Sequence, residues 1–380
     1  MRKVLLFHNI PAPYRLPLFK KLSEFYDLTV VFLQKKEKGR LWKIKDEDLN
    51  FSHVFLPEVS FSLFNKNLTV NKGISSLIKN VSPDVVIALD NPPNLLTMLQ
   101  ALRVCKKRKI HFLLWTGIFP GYTLGNNLFF KIGDTIIHWI RKKNLYPAVQ
   151  RFIAYGKECR YHLENSYKVN GDRIFVGTQG YPYEDLIGRQ FKYALKPRKI
   201  AHKRDTIVYL GYLRGKKGIG LLLESTGLLK KNNIDFNLLI IGDGHENVKR
   251  LIKEYSKKIK IAFVGYKEGT EKYDYLKNAK ILILPTLKDA WGWVINEAMF
   301  MGIPVITTDK AMAKEMVIDG KNGYVVKAGN LQSLYLAIQK MLSMPEKEYL
   351  RFCEQAFATA SNYGIDYSVN CFRGALESVN

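Results

Sequence analysis

Cysteine is scarce in this 380-residue sequence, and what there is lies scattered. Cys105, Cys159, Cys353 and Cys371 are far apart and form no C-x-x-C pair. That argues against a zinc site or a disulfide framework, and reduced cytosolic thiols are the simplest reading. Long apolar runs are also missing. No stretch approaches the ~20 residues of a membrane-spanning helix. The N-terminal run breaks at His8 and Asn9, so it reads as a first strand and not as a signal peptide. Acidic residues are few: 34 Asp and Glu face 59 Lys and Arg, a formal net charge of +25. Such an excess implies an anionic partner, whether nucleic acid, an anionic membrane face or a phosphorylated substrate. Apolar residues are not lacking. At 47% they exclude global disorder, and the length suits two domains of ordinary size.

What is present is an alternation of strand-length apolar runs and helical patterns. The first half offers strands at 3–7, 28–33, 83–89, 110–115, 152–156 and 173–176, with a weaker candidate at 54–56. The second offers strands at 207–210, 236–241, 259–264, 281–284 and 305–307, with helices between them. This rhythm predicts parallel sheets covered by helices on both faces. The basic, irregular stretch 187–204 is the expected boundary, giving domains 1–187 and 188–362. A last helical segment, 363–380, follows a break at Asn362-Tyr-Gly364.

Ligands of open α/β sheets bind at the carboxyl ends of strands. In the first half these ends carry Asn9-Ile-Pro-Ala-Pro-Tyr-Arg15, Asp90-Asn-Pro-Pro and Trp115-Thr-Gly-Ile-Phe119. Arg15 is either a source of charge for a ligand or a solvated residue opening a helix. Asp46-Glu-Asp48 mimics an acid-x-acid metal site, but no apolar strand leads into it, so no metal is expected there. Two basic clusters stand out. Residues 103–109 hold five cations in seven. Residues 128–143 place Phe129, Ile132, Ile136, Ile137 and Ile140 on an apolar side and end in Arg141, Lys142 and Lys143. That segment is a core-facing helix, an interfacial one meeting anionic headgroups, or both.

The stretch 281–308 organises the second half. A buried strand leads through a loop into a helix that is apolar almost all round, with Trp293, Val294, Ile295, Ala298, Met299, Phe300 and Met301. Such a helix is buried. Glu297 sits on its hydrophobic stripe, where a carboxylate is costly without a partner. Asp289 lies eight residues earlier, at the helix mouth. A lone Asp there reads as an N-cap; the pair together, with Gly292 between, reads as a site. A second candidate is Gly211-Tyr-Leu-Arg-Gly-Lys-Lys-Gly218, which follows a strand and opens a helix. Glycines and three cations at that junction suit a diphosphate. Gly242-Asp-Gly244 has neither the spacing nor the later acid of a dinucleotide fingerprint, which argues against a dehydrogenase.

The run D-A-W-G-W-V-I-N-E-A-M-F-M-G-I-P-V-I resembles the signature of retaining, nucleotide-sugar-dependent glycosyltransferases of family four. The resemblance is specific over 209–323 and only architectural over the first half. It implies the GT-B architecture: α/β, two Rossmann-like domains facing across a cleft, with the C-terminal helix crossing back to the first. Two departures are visible. Asp289 stands where Glu is usual, and Tyr212 stands at the Arg of the family's G-R-L-x-x-x-K-G stretch. Arg214 is the candidate to replace that charge, and Lys217 matches the family's Lys.

By resemblance, Glu297 would hold the nucleotide ribose and Asp289 the donor sugar. Lys217 and Arg214, with Gly211, Gly242 and the backbone of Trp291, Gly292, Trp293 and Val294, would hold the diphosphate. Asn9, Arg15 and Trp115 are the acceptor-side candidates. No resident cofactor or metal is implied; a nucleotide-diphosphate sugar is the co-substrate. The implied acceptor is a glycan or polyprenyl-linked hydroxyl in cell-surface polysaccharide synthesis. The basic clusters point to an anionic membrane surface, hence to a peripheral protein on its cytoplasmic face. Three alternatives stand beside this. A sugar-nucleotide epimerase would share the donor site, and a catalytically silent partner subunit would explain the departures. A nucleic-acid-binding protein would explain the charge, although the chain shows no recognition motif for one.

Overall fold

The computed structural model describes residues 1–37, 42, 44–63, 66–120, 128–183 and 205–379. They divide into two compact units, Met1–Gly180 with Ile365–Asn380, and Tyr181–Gly364. The boundary expected after residue 187 falls at 184–204, outside the described residues. The second unit already includes Tyr181 and Tyr183.

In the first unit the chain runs β1 (Lys3–His8), α1 (Leu16–Ser23), β2 (Asp27–Phe32), β3 (His53–Phe55), β4 (Glu58–Leu63), β5 (Lys66–Asn71), α2 (Ile74–Val81) and β6 (Val85–Asp90). Then come α3 (Leu95–Arg108), β7 (His111–Thr116), α4 (Leu128–Ile140), β8 (Arg151–Ala154), α5 (Lys157–Tyr167) and β9 (Ile174–Val176). Seven strands form a parallel sheet in the order β3-β2-β1-β6-β7-β8-β9. β6 is buried at every position, as a strand covered on both faces must be. Ile74, Ile78, Met98, Leu102 and Leu163 of α2, α3 and α5 cover one face. Phe19 and Leu22 of α1 cover the other, together with Val369, Phe372 and Leu376 of the C-terminal helix, Ile365–Glu377. Arg151 ties that helix down, donating to the Ser378 hydroxyl and carbonyl at 2.8 Å each. The antiparallel pair β4–β5 and helix α2 lie where the sequence offers no strong pattern.

The second unit runs β10 (Thr206–Leu210), α6 (Ile219–Lys231), β11 (Asn237–Ile241), α7 (Glu246–Tyr255), β12 (Ile261–Phe263), α8 (Glu271–Leu276) and β13 (Ile281–Leu284). It ends with α9 (Trp293–Phe300), β14 (Val305–Thr308), β15 (Gly323–Val326), α10 (Leu331–Leu342) and α11 (Glu346–Ser361). Its parallel sheet has the order β12-β11-β10-β13-β14-β15. The chain enters and leaves this unit side by side. The Tyr181 amide donates to the Tyr363 carbonyl at 2.7 Å, and the Tyr183 ring stacks on Phe300 at 3.6 Å and 6°. Among the described residues no helix is long and apolar enough to cross a membrane.

Candidate functional site

Strand order reverses between β10 and β13, so their carboxyl-terminal loops splay apart and leave a crevice where α/β sheets take ligands. Both charged motifs of the sequence fall there. Backbone bonds hold the loops in register. Leu287 N–H and the Thr286 hydroxyl both donate to the Lys216 carbonyl, at 2.8 and 3.1 Å. Leu213 N–H donates to the Asp243 carbonyl at 2.9 Å. Gly242 explains its own identity. A Cβ there would lie 1.9 Å from the Gly211 carbonyl oxygen, so only glycine lets these two loops touch.

Asp289 and Lys217 meet directly. The Lys217 ammonium donates to Asp289 Oδ2, with both side chains mostly buried. The other carboxylate oxygen accepts from the Trp291 amide at 3.4 Å, ahead of the helix; the N-cap position falls to Gly292 with no side-chain bond, so Asp289 is not the N-cap that a lone Asp suggests. Gly292 opens α9 with φ +106°, a left-handed turn that favours glycine. The Trp291 indole is buried and donates to Asn296 Oδ1 at 2.7 Å, which pins the loop to the helix. Trp293 and Val294 form the first turn of α9, the end that carries the positive pole of the helix dipole. The Arg214 guanidinium lies over the Tyr212 ring, 5.2 Å from its centroid. The Tyr212 hydroxyl is itself buried without a hydrogen-bond partner among the described residues.

Glu297 is buried, as the helix pattern requires, and its partners come from distant chain segments. Oε1 accepts from the Tyr181 hydroxyl at 2.6 Å and from the Lys272 ammonium at 2.9 Å. The Tyr273 hydroxyl sits 3.1 Å from that of Tyr181. Burial and the neighbouring carboxylate push the Tyr181 phenol well above its usual range, so it stays a neutral donor. Among the described residues Oε2 has no donor. A buried acceptor left empty costs about 1–3 kcal/mol, so this oxygen is poised for a ligand hydroxyl or N–H. Sequence reasoning missed Tyr181, Lys272 and Tyr273. Its only available signal was that a carboxylate on an apolar stripe needs a partner.

In the first unit strand order reverses between β1 and β6, and Asn9, half-buried, stands in the loop after β1. The other two acceptor-side candidates do not face a ligand. Arg15 is 3% exposed and spends its guanidinium on the Thr178 carbonyl at 2.8 Å and Gln179 Oε1 at 3.0 Å. It lies over the Trp115 ring, 4.7 Å from the centroid, and Trp115 is fully buried against Phe372. Both are core residues because the C-terminal helix and the 178–179 turn cover them. His8 is buried too; burial and the nearby Arg15 charge push its imidazole down to about 3.

A correction concerns Arg141. It does not belong to a surface cluster with Lys142 and Lys143. Its guanidinium donates to Asp90 Oδ1 at 2.7 and 3.2 Å, with the side chains 6% and 0% exposed. Tyr146 and Thr116 hydroxyls fill Asp90 Oδ2. Ile137 and Ile140 pack on the core, whereas Ile132, Ile136 and Trp139 of α4 are each at least half exposed. The Phe129 side chain lies outside the described residues. Among the described residues no group of three or more His, Cys, Asp or Glu is placed to hold a metal.

Residues 193–358 match the family model described as Glycosyl transferases group 1. The chain is similar to an uncharacterized glycosyltransferase of Haemophilus influenzae, 21% identical over 87% of this chain and 86% of that protein. It is likewise similar to the capsular polysaccharide biosynthesis glycosyltransferase CapM of Staphylococcus aureus, 21% identical over 90% and 89% of the two. Among solved structures, Anabaena Alr3699/HepE in complex with UDP aligns with a TM-score of 0.74 at 14% identity, over 100% of both chains. That likeness shows the fold, the two-domain α/β architecture of GT-B glycosyltransferases.

Proposed function

We propose that this chain, whose residues 193–358 match the glycosyl transferases group 1 family model, moves a hexose-type sugar from a nucleotide-diphosphate sugar to an acceptor hydroxyl with retention at the anomeric carbon. The observation that carries the reading is the empty, buried Oε2 of Glu297 on the helix that follows the Asp289–Lys217 pair. In this reading Oε2 accepts from the donor's ribose. Lys217 already neutralises Asp289, and a diphosphate arriving beside it draws the same ammonium toward the leaving group. Arg214 and the α9 N-terminus add fixed positive charge. As the sugar–phosphate bond breaks, positive charge grows at the anomeric carbon and negative charge on the diphosphate, so these cations act mainly in the transition state. Asp289 orients the sugar hydroxyls. The departing phosphate takes the acceptor's proton, so no protein nucleophile is needed. UDP is the first nucleotide to try, since a protein of this fold binds it.

The acceptor in this reading is a glycan or polyprenyl-linked hydroxyl in polysaccharide synthesis, met at the anionic inner face of the cell membrane. Ile132, Ile136 and Trp139, spaced four and three apart, form one exposed stripe of α4, 50%, 52% and 57% accessible. Lys131, Lys142 and Lys143 flank it, and the cations at the α3 end, Arg103 and 106–109, are exposed as well. An apolar stripe edged by cations suits lipid headgroups. Two assays test the proposal. Turnover of a UDP-, GDP- and ADP-sugar panel, with product configuration read by NMR, should show one donor consumed and its anomeric configuration kept. Inversion, or no turnover of any donor, defeats the reaction. Sedimentation with anionic vesicles should succeed for the wild type and fail for Trp139→Ser with Ile136→Ser.

A further inference from the structure

We propose that Tyr181 and Lys272 are positioning residues that hold Glu297 so that its Oε2 alone receives the donor's ribose. The inference rests on the donor-site reading above and adds two residues from outside the motifs that the sequence singles out. Two strong donors converge on one oxygen, Oε1, one from the first residue of the unit and one from the middle of its sequence. Tyr181 is the residue at which the chain enters the second unit, and its backbone is clamped by the Tyr363 carbonyl. Lys272 lies on α8, and its ammonium also sits over the Tyr273 ring, 5.0 Å from the centroid. Neither can reach Glu297 by local geometry alone; the fold delivers both.

The consequence is chemical. A carboxylate free to turn offers either oxygen to a ligand and loses rotational freedom when it binds. Here Oε1 is committed to the Tyr181 hydroxyl and the Lys272 ammonium and the carboxyl plane is fixed, so Oε2 is an acceptor already aimed. A carboxylate left to turn would bind a ribose hydroxyl less well. Loss of either donor should therefore weaken nucleotide binding only through the ribose hydroxyls.

The test is a calorimetric titration of UDP and of 2′,3′-dideoxy-UDP into wild type, Tyr181→Phe, Lys272→Met and Lys272→Arg. We expect Tyr181→Phe and Lys272→Met to weaken UDP about tenfold while leaving the dideoxy analogue within about twofold of wild type. Lys272→Arg keeps a charged donor and should recover most of the loss. In turnover the same variants should raise the donor KM and leave kcat nearly unchanged. Equal losses for UDP and its analogue, or no loss, overturn the inference. If Tyr181→Phe fails to fold, the Lys272 pair decides alone. Failure of wild type to bind UDP, GDP or ADP is a different result, which defeats the donor-site reading itself.

Discussion

Arg141→Met isolates a buried ion pair and separates it from the surface charge next to it. Asp90 in the wild type accepts two hydrogen bonds on each oxygen, from Arg141 Nε and Nη2 and from the Tyr146 and Thr116 hydroxyls. Methionine keeps the apolar stem but leaves a carboxylate without its counter-charge in a site with 0% exposure. Breaking a buried pair by removing one partner costs about 3–5 kcal/mol. For a unit of this size that is a fall of about 6–20 °C in the midpoint of its thermal transition. Arg141→Lys should fall between, and Asp90→Asn combined with Arg141→Met should recover part of the loss, because no charge is then stranded. Nucleotide binding, which is proposed for the second unit, should persist. Vesicle binding should also survive Arg141→Met and be lost on Lys142→Glu with Lys143→Glu. A stability within about 1 kcal/mol of wild type, or vesicle binding lost with Arg141, would refute the assignment of Arg141 to the core.

Further outcomes follow from the same geometry. His8 has its folded pKa lowered to about 3 from an unfolded value near 6.5, so the unfolded chain binds the extra proton between those limits. Stability is therefore full above about pH 6.5 and falls as pH drops, by about 1.4 kcal/mol per pH unit from this group. The variant His8→Gln, measured by denaturant unfolding from pH 7 to 4, should show that much less slope; an unchanged slope contradicts it. Gly242→Ala forces a methyl to within 1.9 Å of the Gly211 carbonyl and should cost on the order of 3 kcal/mol while abolishing nucleotide binding. A stable variant that binds normally would show that the two loops part easily.

Much of this was legible beforehand because strand-length apolar runs in a parallel sheet are buried on both faces. The runs at 83–89 and 281–284 give β6 and β13 within a residue or two, and the break at 362–364 separates α11 from the C-terminal helix. Glu297 was visible from helix periodicity and Asp289 from its place at the helix mouth. Their partners were not. Tyr181, Lys272 and Lys217 lie 108, 17 and 72 residues away from Asp289 in the chain, and only the fold joins Lys217 to Asp289 and the other two to Glu297. Arg141 misled for the same reason. Beside Lys142 and Lys143 it looks like surface charge, yet Asp90 fixes it inside. Trp115 and Arg15 misled differently, since a strand-end loop is a ligand position only if nothing covers it.

The most direct test of the central claim compares UDP binding and donor turnover in wild type, Glu297→Ala and Asp289→Ala. The account predicts that wild type binds UDP, that Glu297→Ala loses the nucleotide by at least tenfold, and that Asp289→Ala keeps it but loses turnover of the sugar donor. If both variants bind and turn over as wild type does, the two carboxylates are structural and the donor site lies elsewhere.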